Sequence, residues 1–256
     1  VIGATSAADC LDAAFMAYEI ALEHPTPVVL LTDAFIANGS AAWKLPKLDE
    51  LPEIHPHRVL ENQKFKYSPY RRDPESLVRY WAVPGQEGYT HILGGLEKDG
   101  ETGTISTDPE NHHLMDNLRF GKVARIHVPD LEVEGDADDA DLLIVGFGST
   151  YGHLHAAMAE LRRRGHKVAL AQLKYINPLP ANTAEVLTRY KKVVVAEQNL
   201  GQLAALLRIR INGFTPYQLD RVKGQPLRTH RIATIFENII LDKIHANGDT
   251  FTSRIV

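Results

Sequence analysis

The stretch of residues 141–210 most constrains how this chain can fold. Short apolar runs alternate there with longer segments of helical spacing. A run whose two alternating faces are both apolar is typical of a strand in a parallel sheet that helices cover on both sides. The pattern predicts an α/β fold with a mostly parallel sheet, whose strands include residues 141–147, 167–173 and 191–197.

The loops after these strands are the first places to look for a functional site. Open parallel sheets bind ligands and partner surfaces at the carboxyl ends of their strands. Polar or small residues follow the strands here in three stretches, 146–152, 177–180 and 197–202. We therefore expect any site in this part of the chain to be built from these loops.

Three glycines in the first of these loops suggest a nicotinamide dinucleotide site. Gly146, Gly148 and Gly152 follow a strand and open a helix, as that fingerprint requires. Their spacing differs from the fingerprint, and the next strand ends in Gln172 and Leu173 rather than in an acid that would hold the ribose. The sequence favours a tight turn at a helix start that faces a small anion or a partner chain.

The composition excludes several classes of protein. The chain has 256 residues, of which 44% are hydrophobic and 23% charged, and a net charge of -4, so we expect a buried core and no nucleic-acid partner. Cys10 is its single cysteine, which allows no internal disulfide and no four-thiolate iron–sulfur site. No apolar run approaches the ~18 residues of a membrane span and no signal peptide is evident, so we expect a cytoplasmic protein.

The first thirty residues predict one helix and one strand. Ser6 and Asp9 have the spacing of a capping box, apolar residues then recur at helical spacing, and Pro25 ends the helix. Residues 28–31 form an apolar run that predicts a strand. Because a lone strand cannot shield both its faces, we expect its neighbours to lie upstream of Val1.

Residues 34–129 show little sustained periodicity and contain many prolines. Their aromatic content is too high for a solvated linker, so this segment is expected to be functional or to pack on a partner. Residues 108–123 are the exception, because Asp108 followed by proline predicts a capped helix start. The acidic run 132–141 is interpreted as a solvated boundary.

Two other groups of polar residues have a plain structural explanation. The histidine pairs lack the spacing of a zinc site, and we interpret them as surface or capping residues; they are His55 with His57, His112 with His113, and His153 with His155. The stretch 197–202 could bridge subunits or hold a substrate carbonyl. It could equally be a polar strand-to-helix turn with Asn199 as the N-cap.

Four motifs resemble one family closely, the α subunits of 2-oxoglutarate:ferredoxin oxidoreductase and related 2-oxoacid:acceptor oxidoreductases. They occur in order along nearly the whole chain: Thr32-Asp-Ala-Phe-Ile-Ala-Asn-Gly-Ser40 with Trp43, Tyr80-Trp-Ala-Val-Pro-Gly85, Gly94-Gly-Leu-Glu-Lys-Asp99 and Glu197-Gln-Asn-Leu-Gly-Gln-Leu203. The chain departs from the family at Ala34, where glycine is usual, and at Tyr80, where proline is frequent. The chain resembles the C-terminal portion of such a subunit.

The resemblance implies a thiamine diphosphate enzyme that decarboxylates a 2-oxoacid, passes electrons through an iron–sulfur cluster to ferredoxin and forms an acyl-CoA. It implies three segments: the end of a pyrimidine-binding-type domain at 1–45, a connecting and interface segment at 46–138, and a transketolase C-terminal-like domain at 139–256. Thiamine diphosphate, Mg and the cluster are expected mainly on upstream sequence or on the β subunit, with none bound by this chain alone. The expected assembly is a heterodimer or a dimer of heterodimers.

The resemblance assigns no catalytic residue and no metal ligand to this chain. The sequence also lacks the Gly-Asp-Gly motif with a following Asn–Asn pair that marks the magnesium site of such enzymes. Residues expected next to substrate or cofactor are Asp33, Asn38, Ser149, Gln198 and Asn199. Residues expected at an interface are Trp81, Pro84, Gly94, Gly95 and Glu97.

Two alternatives remain open at this point. The chain could be a non-catalytic dimerisation module, or it could be the equivalent region of a lipoamide-linked 2-oxoacid dehydrogenase or a transketolase. The expected partners of the leading interpretation are a β subunit, ferredoxin and CoA. Its expected substrate is 2-oxoglutarate, although the sequence does not decide which 2-oxoacid is used.

Overall fold

The computed structural model describes residues 1–59 and 67–244. The chain forms two compact units. The first contains Val1–Ala13, Leu30–Trp43 and the chain from Val128 onward, and the second contains Ala14–Val29 and Lys44–His127. The domain limits expected at residues 45 and 138 stay a prediction.

The first unit is built on a five-stranded sheet with the spatial order β3-β5-β4-β6-β7. The strands are β3 (Val133–Gly135), β4 (Leu142–Phe147), β5 (Val168–Leu173), β6 (Val193–Glu197) and β7 (Tyr217–Asp220). β4 pairs in parallel with β5 and β6, and β6 pairs in parallel with β7, whereas β3 is antiparallel to β5. The predicted α/β fold with a mostly parallel sheet is confirmed.

Helices cover both faces of this sheet, as the two-faced apolar strands require. They are α4 (Tyr151–Arg163), α5 (Thr183–Arg189), α6 (Gln202–Arg210) and α7 (Thr229–Ile240). In β4, Ile144 packs in a buried cluster with residues of α4 and α7. The next residue, Val145, packs in a second cluster with residues of α5 and α6. Alternate residues of one strand therefore supply both layers of the core.

A second, two-stranded sheet lies near the start of the chain and corrects one expectation. β1 (Ile2–Gly3) pairs in parallel with β2 (Leu30–Leu31), and Ile2 also forms an isolated antiparallel bridge with Tyr175. The expectation that the neighbours of the apolar run 28–31 lie upstream of Val1 is wrong for this pairing. A two-residue strand carries no periodicity, so the sequence pattern gives no sign of it.

The acidic run 132–141 also differs from its interpretation as a solvated boundary, because β3 lies within it. Asp136 follows β3, and its side chain accepts a hydrogen bond from the backbone N–H of Val168 at 3.0 Å. The same carboxylate forms an ion pair with Nε of Arg162 at 2.9 Å. Charged side chains are common on exposed edge strands, where they discourage pairing with another chain. An acidic composition therefore does not exclude a strand at a sheet edge.

The second unit contains little regular structure apart from helices. α3 (Pro109–Ala124) begins after Asp108, whose side chain accepts the backbone N–H of Glu110, and this confirms the predicted capped helix. A short 3₁₀ turn occupies Leu48–Glu50. The remaining backbone pairing is limited, among the described residues, to isolated bridges such as Arg58 with Trp81. The segment whose sequence shows little periodicity thus contains little regular structure among the described residues, and its role in packing on a partner stays a prediction.

Two further helices lie near the start of the chain. α1 (Asp9–Glu23) begins at the predicted cap, where Ser6 Oγ accepts the backbone N–H of Asp9 at 3.1 Å. α2 (Ala34–Ala37) is a single turn after β2. None of the described helices is both long enough and apolar enough to cross a membrane.

Candidate functional site

The candidate site is a cavity of about 270 Å³ in the first unit, at the carboxyl ends of its strands. Residues that follow β1, β2, β4 and β6 line it. The predicted site residues Asp33, Ser149, Gln198 and Asn199 are among them, so the structure brings four of the five together. This is the place that the parallel-sheet rule indicates for a ligand.

Asp33 connects the loop after β2 with the loop after β4. Its Oδ1 accepts the backbone N–H groups of Phe35 at 3.0 Å and Ile36 at 3.2 Å, and so caps α2. Its Oδ2 accepts the hydroxyl of Ser149, which is only 8% exposed. Both carboxylate oxygens are thus occupied by donors of the protein itself. Asp33 therefore fixes the shape of the cavity wall.

Asn38 does not lie in the wall of this cavity. Its side-chain Nδ2 donates to the carbonyl of Ala34 at 3.1 Å, and its backbone closes the end of α2. The residue is exposed. In this conformation its amide stabilises its own helical turn, and a role next to a ligand stays a prediction.

The glycine loop after β4 forms a tight turn with little free space. Gly148 has a φ of +59°, and a Cβ at Gly146 would lie 2.3 Å from Leu154 Cδ1. Gln172, at the end of β5, donates from Nε2 to the carbonyl of Gly148 at 2.9 Å. Gln172 occupies the position at which a nicotinamide site would have its ribose-binding acid. Here it stabilises the turn through this hydrogen bond. The geometry agrees with a structural turn.

The sequence does not indicate the role of Glu197, the first residue of the stretch 197–202. Glu197 ends β6, it is 3% exposed, and its carboxylate accepts the backbone N–H groups of Leu203 at 2.7 Å and Ala204 at 2.9 Å. Unpaired N–H groups at a helix start carry a partial positive charge, which favours a carboxylate there. The acid is therefore a buried cap for α6 as well as part of the cavity wall.

The stretch 197–202 forms the expected strand-to-helix turn, but Asn199 is not the N-cap of α6. The N-cap is Gly201, with a φ of +87°. Asn199 Oδ1 accepts the backbone N–H groups of Gly201 at 2.8 Å and Gln202 at 3.1 Å. The side chain stabilises the turn that precedes the helix, as asparagine commonly does.

A second buried acid lies beside Glu197. Asp220 is its neighbour on β7, is 4% exposed, and has an Oδ1 with no hydrogen-bond partner among the described residues. Burial, and then the charge of Glu197, raise the pKa of Asp220 to about 6. Asp220, on β7 next to the cavity-lining Glu197, therefore changes charge near pH 6.

The site offers no metal cage in the described part of the chain. No group of three or more His, Cys, Asp or Glu lies close enough there to hold a metal ion. The oxygens of Asp33 and Glu197 are already occupied by donors of the protein. Of the histidines considered as metal ligands, the ring of His153 lies 5.3 Å from the ring of Phe35, and burial lowers the pKa of His153.

Two family models match this chain. Residues 1–105 match "Pyruvate flavodoxin/ferredoxin oxidoreductase, thiamine diP-bdg", and residues 140–232 match "Pyruvate:ferredoxin oxidoreductase core domain II". The chain is also 50% identical over 208 residues to the 2-oxoglutarate oxidoreductase subunit KorA of Mycobacterium tuberculosis. The chain belongs to the family of 2-oxoacid:ferredoxin oxidoreductase α subunits.

A second α subunit of this family is also similar to this chain over most of the chain's length. The α subunit of 2-oxoacid:ferredoxin oxidoreductase 2 from Aeropyrum pernix is 30% identical over 236 residues, which cover 89% of this chain and 36% of that one. The Mycobacterium match covers 81% of this chain but only 32% of the relative. The chain therefore spans about a third of the length of these α subunits.

A solved structure of this family shares the fold. The chain superposes on 2-oxoglutarate:ferredoxin oxidoreductase from Magnetococcus marinus with a TM-score of 0.83 and 28% identity, covering 93% of this chain and 42% of that one. That structure is described with 2-oxoglutarate, coenzyme A and succinyl-CoA bound. The shared fold agrees with the α/β architecture and mostly parallel sheet of this chain.

The residues of this α-subunit chain that were predicted at an interface all lie in the second unit. Trp81 and Pro84 line a depression of about 710 Å³. Gly95 and Glu97 line a different pocket of about 350 Å³, and a Cβ at Gly94 would lie 3.3 Å from Ile105. Trp81 is 47% exposed, which suits a contact residue, but its role at an interface stays a prediction.

Proposed function

We propose that this chain is part of the α subunit of a thiamine diphosphate-dependent 2-oxoacid:ferredoxin oxidoreductase whose 2-oxoacid is 2-oxoglutarate. The enzyme converts the 2-oxoacid, CoA and oxidised ferredoxin into an acyl-CoA, CO2 and reduced ferredoxin. The observation that carries the proposal is the 50% identity to KorA over 81% of the chain. The ligands of the Magnetococcus marinus structure agree with this substrate and product.

In this proposal the chain supports an active site to which other parts of the enzyme contribute. Thiamine diphosphate, when bound, supplies the carbanion chemistry, and the protein supplies its orientation. No group of three or more His, Cys, Asp or Glu side chains that could hold a metal ion occurs among the described residues, and the sequence lacks the Gly-Asp-Gly motif with a following Asn–Asn pair. We therefore place Mg and the iron–sulfur cluster on the β subunit or on the remaining α subunit, in a cytoplasmic α–β assembly.

The contribution of this chain is to hold the loops at the strand ends in place. Asp33 joins the loops after β2 and β4 through Ser149, and Glu197 fixes the loop between β6 and α6. Gln198 and Asn199 line the cavity wall, and in this proposal they lie next to the ligand or a partner subunit. Preorganised loops of this kind cost the enzyme little reorganisation when substrate binds.

Activity of the assembled enzyme tests the proposal. The chain, produced within its complete α subunit and together with the β subunit, should reduce ferredoxin with 2-oxoglutarate in a reaction that requires CoA. The chain alone should not. Acyl transfer to a lipoyl-bearing protein in place of ferredoxin reduction would favour a 2-oxoacid dehydrogenase instead.

The variant Asp33→Ala tests the role of the cavity in this enzyme. Loss of both the α2 cap and the Ser149 contact should reduce kcat/KM by about tenfold or more, because misplaced loops lose orientation. Asp49→Ala is the control, since Asp49 is exposed and lies outside the cavity. Equal activity of the two variants would contradict a positioning role for Asp33.

A further inference from the structure

The second unit contains a pocket with a marked excess of positive charge, which we call the basic pocket. It has a volume of about 350 Å³ and is lined by Arg72, Arg79, Lys98, Arg119 and Lys122, with Glu97 as its acidic residue. Neither the family relationship nor the proposed reaction assigns a role to it.

The acid in this pocket does not balance these charges. Glu97 accepts two hydrogen bonds from Arg119, each at 3.1 Å, and a third contact from His112 at 2.8 Å. These partners lower the pKa of Glu97 to about 2, so it is ionised and fully engaged at neutral pH. The carboxylate of Glu97 is therefore engaged by Arg119 and His112 and does not neutralise the other cations of the pocket.

Four cations of the pocket have no acidic partner among the described residues. Lys98 donates from Nζ to the carbonyl of Leu96, and the other three are Arg72, Arg79 and Lys122. Each of these three donates one hydrogen bond to a backbone carbonyl, at 2.9, 3.3 and 2.6 Å respectively. Nε of Arg72 is buried and has no acceptor in the described part of the chain. Several N–H donors of this cluster thus remain available to a ligand.

Arg72, Arg79 and Lys122 lie close enough to affect one another. Burial, and then the charges of Arg72 and Arg79, lower the pKa of Lys122 to about 8. The backbones of Arg72 and Arg79 form an antiparallel bridge, and the guanidinium of Arg79 lies 4.6 Å above the ring of Tyr70. Like charges held together in this way are costly unless an anion neutralises them.

We propose that the basic pocket binds a phosphate or diphosphate group. Guanidinium groups present pairs of N–H donors that match phosphate oxygens, and an ammonium group adds a compact charge. A phosphate carries more negative charge than a single carboxylate, and so it better balances these cations. The proposal goes beyond the proposed function, because that function assigns no role to this pocket. Its test measures binding without turnover.

Calorimetric titration with inorganic pyrophosphate at low salt tests this directly on the whole protein. We expect saturable binding that weakens as salt is added. Arg79→Gln should weaken it at least about tenfold, since a charged hydrogen-bonding partner is lost. Arg125→Gln is the matched control, because Arg125 also donates to backbone carbonyls in this unit but lies outside the pocket. Its affinity should stay within about twofold of the unmodified protein.

A second measurement needs no variant. Acetic anhydride should label Lys122, and pyrophosphate should slow that labelling severalfold while leaving the exposed Lys191 unaffected. Peptide mass spectrometry reads both sites. Unchanged labelling of Lys122 at saturating pyrophosphate would overturn the proposal, and so would the absence of saturable binding or equal weakening by the two arginine variants.

Comparison of ligands identifies the source of the phosphate. Tighter binding of coenzyme A than of pyrophosphate, with no binding of pantetheine, would show that the pocket takes a phosphate ester of a larger cofactor. Equal affinities for coenzyme A and pyrophosphate would show a pocket for the free anion. Either result supports a phosphate site, whereas tighter binding of hexaglutamate than of pyrophosphate would overturn it in favour of a protein carboxylate.

Discussion

Glu197 shows how one buried side chain can fix a functional loop. It accepts two backbone N–H groups that would otherwise be unpaired at the start of α6. A glutamine has one oxygen and one NH2 group, so Glu197→Gln leaves one of these N–H groups without an acceptor. We expect a loss of about 1 to 3 kcal/mol in the free energy of unfolding, measured with urea.

The control for this variant is Glu185→Gln. Glu185 pairs with Arg189 on α5, but its side chain is 75% exposed, and exposed ion pairs contribute about 0 to 1 kcal/mol. Comparable losses in the two variants would show that the carboxylate of Glu197 contributes no more than a surface acid.

Asp220 gives the first unit a specific dependence on pH. Its pKa is raised to about 6 in the folded protein, mainly by burial, from an ordinary value of 3.8. Between these values the folded state keeps a proton that the unfolded state has lost, so stability falls as pH rises through this window. Above about pH 6 the cost of the buried charge is fully present, on the order of 2 to 3 kcal/mol.

Asp220→Asn should remove this cost. The variant should be more stable than the original protein at about pH 8, and this advantage should shrink towards about pH 4, where Asp220 is protonated in the folded state. Urea midpoints at the two pH values check it. Asp130→Asn is the control, since Asp130 is exposed in the same unit. An advantage of equal size at both pH values would contradict ionisation as the cause.

At the scale of elements, the contact between β4 and α4 depends on one glycine. A Cβ at Gly146 would lie 2.3 Å from Leu154 Cδ1 and 2.6 Å from Gln172 Oε1, within the packed core. We expect Gly146→Ala to lower the free energy of unfolding by about 1 to 3 kcal/mol, because close-packed interiors resist added atoms. Gly152→Ala should raise it by up to about 1 kcal/mol.

Gly152 is a matched control because it belongs to α4, and a Cβ there would meet no atom within 4 Å. Thermal unfolding followed by circular dichroism compares the two variants. A loss of stability at Gly152→Ala equal to that at Gly146→Ala would mean that the glycine loop as a whole, rather than close packing at Gly146, sets the requirement.

The same elements show what the sequence can and cannot predict. Two-faced apolar runs predict β4, β5 and β6, since burial on both sides leaves a clear signal. β7 gives a weaker signal, because its Gln218 and Asp220 are polar yet buried at 7% and 4% exposure. Charged and amide residues are usually exposed, so a pattern of residue types cannot reveal that these two lie inside.

The candidate site, like the sheet, could be predicted from the sequence only in part. Asp33, Ser149, Gln198 and Asn199 come together because the carboxyl ends of parallel strands meet at one edge. The burial of Glu197 and Asp220 depends on how β6 and β7 pair, which the residue pattern does not determine. Likewise, the basic pocket arises from residues far apart in the sequence.

At the scale of the whole molecule, the second unit exposes large apolar side chains that its own structure does not cover. Trp81 is 47% exposed, Ile92 89% and Leu96 66%. Exposed apolar groups of this kind commonly mark contacts with another chain. The sequence predicts such a surface from aromatic residues without periodicity, but their exposure is visible only in the structure.

Trp81→Ala therefore tests assembly with the β subunit of the proposed enzyme. The backbone of Trp81 pairs with His57 and Val59 and is unchanged by the substitution, so the unfolding temperature of the isolated chain should change little. Because tryptophan is frequent among residues that dominate interfaces, we expect affinity for the β subunit to fall by about 2 kcal/mol, or roughly thirtyfold. Ile209→Ala is the control, since Ile209 is 80% exposed on α6. Sedimentation velocity on mixtures of the chains measures the affinity, and a lower unfolding temperature with unchanged affinity would place Trp81 in the stability of this chain instead.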